Sequence, residues 1–190
     1  MLITTPTQLK IINAFFELAD EKPEATISLQ MIADKVGISR GSITRYHFKN
    51  IPGLLNHIHG LIDNEIREQF ERMVHSSDSW SDLLIFFNQE MIPYLFSRKH
   101  WLKPLYNTYQ DPKWLAYLEH EYAPIIEMYL WKVGKKDIIP NEFLAKFVVK
   151  QFLSIVSIWL SDEEAEKPED FQEKFIHALD ISISDILKAN

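Results

Sequence analysis

Residues 28 to 48, Ser28-Leu29-Gln30-Met31-Ile32-Ala33-Asp34-Lys35-Val36-Gly37-Ile38-Ser39-Arg40-Gly41-Ser42-Ile43-Thr44-Arg45-Tyr46-His47-Phe48, read as two short helices joined by a tight turn. Leu29, Ile32, Ala33 and Val36 keep helical spacing, Ser28 is an N-cap residue, and Gly37 supplies the stop. Ala33 is small where two helices must approach closely, Gly37 accepts the positive φ of a tight turn, and Ile43 is spaced to pack back on the first helix. Ile32, Val36 and Ile38 fill the seam beside them. A second helix capped by Ser39 and running to about His47 then turns Arg40, Ser42, Thr44 and Arg45 outward, with Tyr46 and His47 at its end. Hydrogen-bonding groups with little apolar bulk suit base edges and phosphates in a major groove. An Ala-x-x-x-Gly before a short polar helix also occurs in ordinary helical hairpins. Agreement among the small residue, the turn glycine, the back-packing isoleucine and the local charge favours a helix-turn-helix.

Working outward, Leu9, Ile12, Phe16 and Ala19 form the stripe of a preceding helix that Lys22-Pro23 terminates. Asn50 caps a fourth helix with Leu54, Leu55, Ile58, Leu61, Ile62, Ile66 and Phe70 on one side. Ser79-Trp80-Ser81-Asp82 has capping-box form, and Asp111-Pro112 sets a capping residue before a proline at the first helical position. Pro93 and Pro124 fall in apolar runs and are expected to kink or break their helices. Two final helices are predicted over 141–161 and 168–188, joined by an acidic, solvated connection. No period-two runs of β-branched residues appear, so the fold class is all-α, without internal repeats.

The chain has 190 residues, 20 basic and 27 acidic, for a net charge of −7. That disfavours a protein that coats nucleic acid with its whole surface. Residues 26–50, however, hold four basic residues against one acidic, while residues 61–190 hold fourteen against twenty-two. An acidic body thus carries a small basic face. With no cysteine, disulfides, thiol nucleophiles and Cys-ligated metals are excluded. Met1 to Lys10 lacks the form of a signal peptide, and the longest apolar-rich stretch, Phe152 to Leu160, is short and holds two serines. No membrane partner is expected, and the cytoplasm is the expected location. His57 and His59 are two apart on a helix and face different directions, so no metal site or cofactor is read. Gly37-Ile38-Ser39-Arg40-Gly41 has the letters of a hydrolase nucleophile elbow, but that motif needs a strand before it and here a helix precedes. No catalytic constellation emerges, and the expectation is a protein that is not an enzyme.

The segments Ile32-Ala33-Asp34-Lys35-Val36-Gly37-Ile38-Ser39-Arg40-Gly41-Ser42-Ile43 and Phe48-Lys49-Asn50 resemble the N-terminal pattern of the TetR family of transcriptional repressors, over roughly residues 8–60. The resemblance implies a helix-turn-helix domain over 1–50 and a helical ligand-binding and dimerisation domain over 51–190. It implies a homodimer that places each third helix in the major groove of a double-stranded DNA operator, released by a small-molecule effector. Ser39, Arg40, Ser42, Thr44 and Tyr46 become base or phosphate contacts, Lys49 a phosphate anchor, and Thr26 or Ser28 a phosphate contact. Two departures stand out. Thr44 occupies a position where the family usually has an aromatic, and the interval from Gly41 to Phe48 is one residue longer than the common spacing, as though His47 were inserted. On a helix one added residue turns all that follows by about 100°, which motivates a second reading: a small-molecule or protein-interaction module on a repressor-like scaffold that no longer reads an operator.

The body is rich in aromatics. Residues 80–131 include Phe87, Tyr94, Trp101, Tyr106, Tyr109, Trp114, Tyr117 and Tyr122, which are expected to line a ligand pocket, although core filling accounts for any one of them singly. Glu90, Glu119 or Glu127 facing that pocket would suggest a cationic ligand. Phe147, Phe152, Ile155 and Trp159, then Phe175, Leu179 and Ile183, span a wide arc on the last two helices, with Ser154, Ser157 and Ser161 permitting close approach. A dimer interface explains this arc better than burial within a monomeric bundle.

Overall fold

The computed structural model describes residues 4–106, 109–135 and 137–187, and of Ile183 only the backbone. All regular elements among these residues are helical. Helix α1, Pro6–Glu21, opens with a reciprocal capping box: Thr5 Oγ1 accepts the Gln8 N–H at 3.2 Å, and Gln8 Oε1 accepts the Thr5 N–H at 2.9 Å. Helices α2, Leu29–Val36, and α3, Arg40–Tyr46, begin at the caps Ser28 and Ser39. Between them Gly37 takes φ 75°, and the Gly37 and Ile38 N–H groups both donate to the Ala33 carbonyl, at 2.9 and 3.1 Å. Ile32, Ala33 and Ile43 have no exposed surface, which closes the α2–α3 seam against Ile11, Ile12 and Phe15 of α1.

Helix α4, Ile51–Ser76, is the long strut of the molecule. Its row Ile58, Ile62, Ile66 and Phe70 is buried throughout. The body continues with α5, Trp80–Phe86, a π-helical turn over Phe87–Met91, α6, Ile92–Ser97, and α7, Lys99–Tyr106. The π turn is the local answer to Pro93. Proline has no N–H for the carbonyl four residues back, and the preceding turn widens so that the Ile92 N–H reaches the Phe87 carbonyl.

Three expectations differ from the structure. Helix α8, Trp114–Lys132, runs unbroken through Pro124, because that proline lies on the exposed side, where the carbonyl it leaves without a donor is within reach of water. The same helix starts at Trp114, three residues after Asp111 rather than directly after it: the Asp111 carboxylate accepts the Lys113 N–H at 3.0 Å and its carbonyl the Trp114 N–H at 3.2 Å, closing a turn first. The span predicted as one helix over 168–188 divides into α10, Pro168–Asp180, and α11, Ile183–Leu187. Ser182 causes the break. Its hydroxyl accepts the Asp185 N–H at 3.1 Å and donates to the Asp185 carboxylate at 2.6 Å, a local cap that competes with helix continuation.

Helix α9, Asn141–Ser161, packs along α8, and its inner side meets α7 and α10. By length and composition it is long and apolar enough to cross a membrane, yet it is part of this packed body and carries Lys146 and Lys150.

Candidate functional site

The N-terminal unit presents α3 outward. Arg40, Thr44, Arg45 and Tyr46 are exposed, Tyr46 to 70%, and Ser42 is half-buried, with its N–H donated to the Ser39 hydroxyl at 3.0 Å. Thr26, Ser28, Ser39 and Lys49 are exposed around the same surface. The basic excess read from residues 26–50 is only partly available there. Lys35 is drawn back onto α1 by Glu17 at 3.1 Å and Glu21 at 2.7 Å, whereas no ion pair among the described residues involves Arg40, Arg45 or Lys49.

Helix α3 ends at Tyr46, two residues before Phe48. His47 leaves helical geometry, with φ −128° and ψ −73°, and the His47 and Phe48 N–H groups both donate to the Ile43 carbonyl, at 3.0 and 2.9 Å. Phe48 is buried, with its ring centroid 5.3 Å from that of His57 on α4. The half-buried His47 is thus part of the turn that follows α3.

Two further ties join this unit to the body. Trp101 stacks on Phe16 at 5.8 Å and donates its indole N–H to Asn13 at 3.2 Å. The Gln110 side-chain amide donates to the carbonyls of Pro23 and Ala25, at 2.9 and 3.1 Å, in the loop that leads into α2.

Inside the body lies a cavity of about 320 Å³ lined from every helix between α4 and α10 and from the π turn. Of the aromatics expected there, Phe87, Tyr106, Trp114 and Tyr122 form its walls, and Tyr94, Trp101, Tyr109 and Tyr117 do not. The reasons are local. The Tyr94 hydroxyl donates to the Ile62 carbonyl at 2.7 Å with Arg98 over its ring, Trp101 faces α1, Tyr109 is exposed, and the Tyr117 ring stacks on His59 at 4.5 Å. Glu90, Glu119 and Glu127 also lie off the cavity.

The acid that does reach it is Asp63, which is 2% exposed. Its carboxylate accepts the Tyr122 hydroxyl at 2.7 Å and the Tyr117 hydroxyl at 3.2 Å, and Arg67 Nε lies 3.3 Å away. Burial pushes the Asp63 carboxyl above its ordinary value, against the pull of the Tyr122 hydrogen bond and the Arg67 charge. Burial likewise raises the Tyr106, Tyr117 and Tyr122 hydroxyls, so all three stay protonated donors near neutral pH. Sequence reasoning missed Asp63, though a signal existed. His59, Asp63 and Arg67 fall at i, i+4 and i+8, a polar row directly beside the buried row of α4.

No protein-family model matches the sequence, and no curated protein matches it. Solved structures do. NalD, the secondary repressor of the MexAB-OprM multidrug efflux pump of Pseudomonas aeruginosa, superposes with a TM-score of 0.67 at 18% identity, over 91% of this chain and 93% of that one. The TetR-family transcriptional repressor FadR of Thermus thermophilus, solved with lauroyl-CoA, gives 0.58 at 16% identity over 96% of each chain. The fold is that of a TetR-type repressor. The dihydroxyacetone kinase operon activator DhaS gives 0.55 at 16% identity, over 93% of this chain and 95% of that one.

On this TetR-type scaffold the last helices leave one face uncovered. Only 28% of the most apolar window of α9 is buried, and Phe143, Phe147 and Ile158 are 59%, 56% and 76% exposed. Together with Ser154 they lie at helical spacing on one side. Residues expected at an interface divide between this face and the core. Phe147 is on the face and Ile155 is half-buried, while Phe152 and Leu179 help wall the cavity. Trp159 and Phe175 are buried within the protomer. The Trp159 ring stacks on Phe171 at 4.1 Å and its indole donates to the Glu166 carbonyl at 2.9 Å, and Phe175 packs between Phe152 and Phe171. The side chain of Ile183 lies outside the described residues. Phe143 and Ile158 went unread in the sequence because an exposed apolar side of a helix looks the same as a buried one until its neighbours are known.

Proposed function

We propose that this chain is a sequence-specific transcriptional regulator, a repressor that binds a double-stranded DNA operator as a homodimer and is released by a small-molecule effector held in the body. The observation that carries the reading is the exposed α3, fixed by the Gly37 turn, with Arg40, Arg45 and Lys49 not drawn into ion pairs. The reader comprises residues 1–50, and residues 51–190 form the sensor and dimerisation domain. Arg40, Ser42, Thr44, Arg45 and Tyr46 meet base edges or phosphates, with His47 at the margin of the contact. Thr26, Ser28, Ser39 and Lys49 anchor phosphates. The FadR complex with lauroyl-CoA supports a ligand-holding body on this scaffold. The uncovered face of α9 supports dimerisation, because Phe143, Phe147 and Ile158 are exposed on one side of that helix, where a second copy can cover them. The chain acts in the cytoplasm and catalyses no reaction.

A scaffold that had lost operator reading would be expected to occlude or unwind its third helix. An α3 that is helical and exposed, with His47 in the turn that follows it, favours the operator-binding reading.

Titration against DNA from the protein's own upstream region at two salt concentrations tests the proposal. With about 6 phosphates neutralised per dimer, log affinity falls with log salt at a slope near −5. Absent or salt-independent binding contradicts it.

A further inference from the structure

The cavity walls carry acids and aromatic rings and no base. Asp63 and Asp180 contribute the carboxylates, and no Lys, Arg or His takes part. Arg67 stands behind the wall, 3.3 Å from both Asp63 and Glu121 and 3.1 Å from Glu71, so one guanidinium is shared among three carboxylates. The rings are Phe70, Phe87, Tyr106, Trp114, Tyr122 and Phe152, with Trp80 at the more open edge. An aromatic face is the negative pole of its ring, and a cation beside it is attracted more strongly where water is excluded.

We propose that this cavity selects lipophilic cations, an ammonium or protonated amine attached to apolar rings or chains, over neutral and anionic molecules of the same shape. The inference rests on reading the body as a sensor and names the class of effector. An anion entering the cavity must approach a carboxylate that is almost wholly removed from water, where repulsion is weakly screened. A cation meets the opposite field, and its charge offsets the cost of keeping Asp63 ionised there. Asp180, exposed where α10 ends, adds attraction at the rim. Apolar parts of the ligand then lie against Ile62, Ile66, Met91 and Leu118.

Calorimetric titration of the full chain near neutral pH with 4-phenylbutylammonium, 4-phenylbutanol and 4-phenylbutyrate tests this with one skeleton and three head charges. The ammonium is expected to bind at least about tenfold more tightly than the alcohol, and the carboxylate weakest. Asp63→Asn should bring the ammonium-to-alcohol affinity ratio, measured within that variant, close to one. Asp180→Lys, at an exposed position that the fold tolerates, should move the preference toward the carboxylate. Equal or tighter binding of the alcohol or the carboxylate by the wild type overturns the proposal and leaves the sensor reading standing. An ammonium preference untouched by either substitution overturns the assignment to this cavity. Failure of all three probes to bind overturns the sensor reading, and the proposal with it.

Discussion

The side chains of His59 and Asp111 are paired inside the body, and the pair fastens the turn ahead of α8 to the first half of α4. Both are buried, the His59 ring lies against Trp114 and Tyr117, and Gln110, next along the chain, holds the loop that leads into α2. A polar pair in this position links α4 to the loop ahead of α2 through a single turn of chain.

Removing one member of such a pair strands the other in a site without water. Asp111→Ala is expected to destabilise the fold by about 3–5 kcal/mol, read from urea unfolding. A loss under 1 kcal/mol, the range of exposed pairs, would show that the pair is solvated in solution.

The raised Asp63 carboxyl gives a pH dependence of definite sign. In the window from the ordinary carboxylate value up to the raised folded one, the native protein keeps a proton that the unfolded chain has released. Stability contributed by this residue is therefore present below the window and lost as pH rises through it. Unfolding of wild type and Asp63→Asn across that range should show the wild type losing stability relative to the variant. A difference that grows in favour of the wild type would invert the account of this carboxyl.

Helix α9 carries both the face proposed for dimerisation and residues of the core. Phe147→Glu and Ile158→Glu change exposed side chains and are expected to leave a folded monomer, visible by sedimentation as halved mass with a retained helical spectrum. Phe175→Ala, by contrast, removes a ring with no exposed surface and should cost about 3–5 kcal/mol of stability. Dimers that survive both glutamate substitutions would move the interface elsewhere.

The starts of α2, α3 and α4 were legible because their instructions are local. Ser28, Ser39 and Asn50 cap within three residues, and Gly37 acts on its own φ. The cavity was legible only as an aromatic region. Which rings face inward depends on contacts such as His59 with Tyr117 or Phe16 with Trp101, between residues far apart in the chain. Asp63 with Tyr122 and His59 with Asp111 are likewise pairings that no local spacing encodes, since each partner looks like an ordinary polar residue on its own helix. The break at Ser182 was open to reading, but the apolar spacing of Phe175, Leu179 and Ile183 across it outweighed a single serine.

The proposal assigns base reading and phosphate anchoring to different residues. Arg40→Ala should weaken specific binding by about 1–3 kcal/mol and relax preference at one base position, whereas Lys49→Ala should weaken all sequences evenly and lower the salt slope by about 1. Matching effects of the two substitutions on specific and random DNA would assign Arg40 to the phosphates.

The central claim, that two copies of α3 read DNA together, is tested most directly by a hydroxyl-radical footprint of the protein on its upstream region. The account predicts two protected half-sites whose centres lie about 34–36 Å apart, or a multiple of that, and their loss together with the Phe147→Glu monomer. A single protected patch, or a footprint unchanged in that monomer, would contradict it.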